Sequence, residues 1–118
     1  MIEKHLLVAD RVRCPPRQGF SWVDRRFLRD YAERLTGDAI LLYFFLAAVS
    51  DKEGLSFYSD ASIAGRLRMR EQAVMDAREE LLVQDLIAYQ HPLTQVLSFP
   101  PIRVARGGVH RLDEFFQT

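Results

Sequence analysis

Ala39–Val49 is an uninterrupted apolar run of eleven residues. A membrane span takes about 18 or more such residues, so this run is too short to be one. Its middle, Ile40–Leu46, is apolar all round rather than along one stripe. A helix of that kind belongs at the centre of a core, and the rest of the chain must wrap it. Thr36-Gly37-Asp38 breaks the chain and caps the helix, which is expected to run from 38 to about Asp51, with Gly54 as its stop. The 118 residues leave room for one domain. A 48% hydrophobic content excludes whole-chain disorder, and the single cysteine, Cys14, has no internal disulfide partner. Met1–Lys4 is followed by only five apolar-leaning residues before Asp10, so no signal peptide is expected. The expected setting is cytoplasmic, with no membrane partner.

Around the central helix the patterning is regular. Residues 1–20 hold Pro15-Pro16 among Arg11, Arg13 and Arg17, which predicts an extended basic arm. Ser21-Trp22-Val23-Asp24 reads as a capping box opening a helix over 21–35. Val23, Phe27, Tyr31 and Leu35, with Leu28 alongside, would form its apolar stripe. Arg26–Asp30, Arg29–Glu33 and Asp30–Arg34 would pair one turn apart on the other face. Leu55–Tyr58 reads as a short strand, and Ser59 or Asp60 caps a helix over Ala61–Leu67. Arg68–Arg70 is a tight turn with Met69 facing in. A further helix runs from Glu71 to about Gln84, with Val74, Ala77 and Leu81 inward. Leu86–Tyr89 and Gln95–Phe99 are strands joined through His91-Pro92. Beyond them, Ile102–Leu112 suggests a hairpin about Gly107-Gly108, and Asp113–Phe116 a last helical turn. The predicted class is mostly α with a small β-hairpin, that is α+β.

The stretch Ser59–Val74, continued by Ala77, Leu81 and Asp85–Tyr89, resembles the winged helix-turn-helix domain. Ile63, Ala64, Leu67, Met69, Val74, Ala77, Leu81, Leu86 and Ile87 fall on its apolar pattern, and the match covers about 60 residues. The resemblance implies a single domain, with an arm (1–20), an accessory helix (21–35), a winged-helix unit (38–99) and a tail (100–118). This chain departs from the pattern at three places. Arg70 stands where a capping residue is usual, Asp85 where glycine is usual, and the wing Gln90–Thr94 has no Lys or Arg. With Phe20–Asp24, Gly54–Asp60 and Leu86–Tyr89, the chain is also similar to small proteins encoded beside bacterial transposase genes.

The resemblance implies non-enzymatic binding of double-stranded DNA, by a transcriptional regulator or an accessory protein of a mobile element. The helix from Glu71 would then enter the major groove and read bases with Arg70, Gln72, Ala73, Met75 and Asp76. Arg66 and Arg68 would meet phosphates, joined by Arg25, Arg26 and Arg29 beside the arm. The chain has no net charge, with 16 basic and 16 acidic residues, but residues 1–35 carry a surplus of +3. Glu71, Asp76, Glu79 and Glu80 oppose phosphate near the same groove. The alternative is a winged-helix module that binds a protein, such as a transposase or a replication protein. DNA binding predicts one positive face joining Arg66, Arg68, Arg70 and the arm, whereas a protein module predicts an exposed apolar patch. Phe99, Phe115 and Phe116, outside the winged-helix pattern, suggest a cover for its open side or the seam of a homodimer. Trp22, Phe27, Tyr43–Phe45, Phe57, Tyr58 and Tyr89 are expected in the core, with room for a small effector against Tyr43 or Phe44. His5, His91 and His110 are scattered, and no phosphate loop, dinucleotide fingerprint or nucleophile elbow is present. No enzyme, metal or cofactor is expected.

Overall fold

Thr36 accepts a hydrogen bond from the Ala39 amide at 3.2 Å and so caps α1, which spans Gly37–Val49. Ala39, Leu42, Tyr43, Leu46 and Ala47 are buried, while Leu41 and Phe44 reach solvent. The apolar run is therefore central without being enclosed on every side. The computed structural model describes residues 4–99. The expected hairpin about Gly107-Gly108 and the last helical turn, with Phe115 and Phe116, lie outside the described residues.

After α1 the chain forms β1 (Leu55–Phe57), α2 (Asp60–Leu67), α3 (Glu71–Val83), β2 (Ile87–Gln90) and β3 (Leu93–Val96). The three strands make one antiparallel sheet in the order β1-β3-β2. The architecture is thus α+β. Leu93–Val96 is the returning strand, two residues earlier than expected, because Leu93 already pairs with both Phe57 and Gln90. Ile63 and Ala64 of α2, Val74, Ala77 and Leu81 of α3, and Leu86 and Ile87 close on the inner face of α1. Each such aliphatic side chain contributes roughly 1.5–3 kcal/mol on full burial, and the two alanines less.

Ser59 caps α2 by accepting from the Ser62 amide at 3.1 Å. Arg68 ends α2 in the left-handed conformation at φ 61°, and the Met69 amide bonds back to Ala64. Asp85 does the same after α3, again at φ 61°, with Leu86 N–H donating to the Leu81 carbonyl at 3.0 Å. Asp85 therefore holds the glycine-like turn that its position demands, at a cost of roughly 1–2 kcal/mol.

The segment before α1 differs most from expectation. No helix begins at Ser21. The Ser21 hydroxyl donates instead to the Ala48 carbonyl near the end of α1, at 3.2 Å. The Asp24 carboxylate accepts from the Arg26 amide at 2.8 Å and from its guanidinium, a local turn that competes with helix. A wide helical turn forms only over Phe27–Tyr31 and tightens over Ala32–Arg34. Phe27 is buried and stacks on Tyr43 with ring centroids 4.2 Å apart, but Val23 and Leu28 are exposed. The expected pairs one turn apart give way to Arg26–Asp24 and Arg29–Asp30, in a stretch whose turns are wide over Phe27–Tyr31 and tight over Ala32–Arg34. Of the expected arm, residues 4–20 are described; they hold a short turn over Ala9–Arg11 and a second one in which the Gly19 amide donates to the Pro16 carbonyl at 3.2 Å.

Candidate nucleic-acid interface

α2 and α3 meet through Arg68–Arg70, with Met69 turned toward the core. This leaves Arg66, Arg68 and Arg70 exposed around the start of α3. Among the described residues none of the three makes an ion pair; Arg66 lies over the Tyr58 ring at 5.4 Å. Arg70 precedes α3 without a side-chain cap, so the first amides of α3 face outward with no intrahelical partner.

Gln72, Met75 and Asp76 are exposed, as a base-reading face requires. Ala73 is half-buried and is not part of that outward row. The Gln72 amide donates to Asp76 at 2.9 Å, so the two side chains act as one unit one turn apart. Glu71 and Glu79 share this exposed side. Glu80 does not. Its carboxylate accepts from the Thr36 amide at 2.9 Å and the Thr36 hydroxyl at 2.6 Å, and so caps α1 from another helix. The acids expected to oppose phosphate fall from four to three.

The expected companion cluster, Arg25, Arg26 and Arg29, is not brought to this face. Arg34, at the end of the same segment, donates to Gln84 at the C-terminal end of α3. A 13-residue helix is about 20 Å long, so that segment meets the end of α3 remote from Arg70. Arg26 is held by Asp24 at 2.8 Å and lies over Phe99, and Arg29 is held by Asp30 at 2.9 Å. These guanidiniums keep the Asp24 and Asp30 carboxyls below the usual carboxylate range. Arg25 is exposed.

Arg78 is a residue that the sequence analysis passed over. It sits on the inward side of α3, 9% exposed. Its guanidinium donates to Asp60 at the start of α2 and lies 4.1 Å from the centre of the Tyr89 ring in β2. Tyr89 in turn shares a hydrogen bond with His91 at 3.1 Å. One cation therefore ties α2, α3 and the β2–β3 turn together. Its signal was available, since Arg78 lies four residues after Val74 and three before Leu81 on the apolar face.

Three aromatics expected in the core are outside it: Trp22 is 73% exposed, Phe57 67% and Phe44 44%. Tyr43 is buried, and Phe99 closes on Tyr31 at 5.0 Å, so Phe99 covers the core edge as expected. A cleft opens beside Tyr43, and Phe44 does not line it.

No family model, curated protein or solved structure matches the chain. Its function must therefore be argued from residues and geometry. Among the described residues no helix is long and apolar enough to cross a membrane. None of the His, Cys, Asp and Glu side chains described form a group of three able to hold a metal ion.

Proposed function

We propose that this chain is a winged helix-turn-helix protein that binds duplex DNA without catalysis, with α2 and α3 as the helix pair and β2–β3 as the wing. The observation that carries the reading is the trio Arg66, Arg68 and Arg70, exposed and without ion pairs among the described residues, around the open start of α3. Cations beside outward amides at a helix start favour phosphate. Gln72 and Met75 then lie next along the same exposed side, where a hydrogen-bonding group and an apolar contact can discriminate bases. Roles in transcription or in a mobile element both use this surface.

Fluorescence anisotropy of a labelled random duplex, taken over a range of salt, tests the reading. Each phosphate neutralised adds about 0.9 to the slope of log affinity against log salt. Replacing Arg66, Arg68 and Arg70 together with Gln should lower that slope by about 2–3. Arg25→Gln with Arg29→Gln should leave it unchanged, because those residues do not adjoin α3's start. Absence of binding at low salt, or a slope indifferent to the triple substitution, would overturn the proposal.

A second reading, a module that binds a protein partner, is favoured by a different observation. Phe20 and Trp22 stand 66% and 73% exposed beside a cleft. Solvent-facing aromatics grouped in this way mark interaction surfaces.

A further inference from the structure

The cleft has a volume of about 680 Å³ and lies between Phe20–Arg26, the C-terminal end of α1 and Gln95–Phe99. Phe20, Trp22, Tyr43 and Phe99 supply its aromatic lining. Its charge is uneven. Arg26 also lines it, but is committed to Asp24, so that pair is neutral. The Asp51 carboxylate accepts from the amides of Glu53 and Leu55 at 2.8 and 3.0 Å, bonds that hold its charge in place. Glu53 is exposed, and Lys52 is the one basic lining residue outside the Arg26–Asp24 pair. Ala47 and Ser50 bring in the end of α1, whose last turn carries no basic residue. The carbonyl end of a helix adds about half a negative charge. The cleft is therefore aromatic on its walls and net negative at its rim. That combination repels phosphate and attracts a cation, which the aromatic faces also favour.

We infer that this cleft docks a peptide segment of a partner protein in which Lys or Arg stands beside an apolar side chain. The apolar group would cover Phe20 and Trp22, and the cation would face Glu53 and the end of α1. The inference rests on the protein-partner reading and gives it a place and a chemistry. It is independent of the DNA-binding reading, which uses other residues.

Trp22 is the single tryptophan of the chain, so its fluorescence reports the cleft directly. The full chain is titrated with acetyl-Leu-Arg-Phe-Lys-amide and with acetyl-Leu-Glu-Phe-Glu-amide. The cationic peptide should give a saturable change, and the acidic one should bind at least about tenfold more weakly. Glu53→Lys and Phe20→Ala should each weaken the cationic peptide several-fold, while DNA anisotropy stays as in the parent protein. Four results would overturn the inference. They are no change with either peptide up to millimolar concentration, equal affinity for both, indifference to Glu53→Lys, and competition by duplex DNA. A shift in Trp22 emission on dilution of the protein alone would also overturn it, by assigning the cleft to a second copy of the chain.

Discussion

Gly54 offers a sharp test of the packing described above. It lies in the turn between α1 and β1 at φ +87°, a backbone that L side chains rarely adopt. A Cβ placed there would stand 2.6 Å from the Val96 carbonyl oxygen and 3.5 Å from the Val96 nitrogen. Both are backbone atoms of a paired strand and cannot swing aside. The Gly54 carbonyl also accepts from the Val96 amide at 2.8 Å, and this bond joins the turn to β3. Gly54→Ala therefore carries the left-handed penalty, roughly 1–2 kcal/mol, and strains or breaks a hydrogen bond of net value about 0.5–1.5 kcal/mol. The expected loss of stability is about 2–3 kcal/mol. Gly65 is the control. It lies within α2, is exposed, and a Cβ there meets nothing within 4 Å. Gly65→Ala should stabilise the protein by about 0.5–1 kcal/mol, because alanine loses less backbone entropy in a helix. Urea denaturation followed by far-ultraviolet circular dichroism compares the two, with unchanged m-values required for the comparison. If Gly54→Ala falls within about 0.5 kcal/mol of the parent protein, the close approach of the turn to β3 is wrong.

Glu80→Ala should cost about 1–2 kcal/mol, because the Thr36 amide and hydroxyl lose their carboxylate and α1 loses a contact from α3. Glu80→Gln, which still accepts, should lose less in the same urea experiment, and equal losses would refute the capping role. Burial pushes the Tyr43 phenol up to about 12. Its folded value lies above the ordinary 10, so its contribution to stability is whole below pH 10 and is lost as pH rises from there through about 12. Near-ultraviolet absorbance should show one of the four tyrosines ionising late, and Tyr43→Phe should remove that late component; an unchanged profile would count against the burial.

The three α-helices were legible because apolar spacing reflects local backbone geometry. Val74, Ala77 and Leu81 recur at helical intervals, and all three are buried. Ser59 was legible as a cap because its partner, Ser62, is three residues away. The helix over 21–35 was misread for the complementary reason. Ser21 and Asp24 carry capping side chains, but Ser21 finds the Ala48 carbonyl, 27 residues distant, and Asp24 closes on Arg26. Glu80 looked like an acid on a groove face, and Thr36, 44 residues before it, makes it a cap. Within the candidate interface, the exposure of Arg70, Gln72, Met75 and Asp76 was readable from helical phase. The separation of Arg25, Arg26 and Arg29 from Arg70 was not, because it depends on which end of α3 the preceding segment meets.

From α1 onward the sequence by itself determined which stretches form helices and strands, which sides of α2 and α3 are apolar, and where the turns between them fall. Those properties follow from a repeat of 3.6 or 2 residues and from caps within a few residues. Tertiary structure alone decided which carboxylate pairs with which cation, that Arg78 joins two helices to the sheet, and that Trp22 faces solvent. A polar group bonds to whatever the fold brings within about 3 Å, and an aromatic ring is buried only if other elements leave it a place.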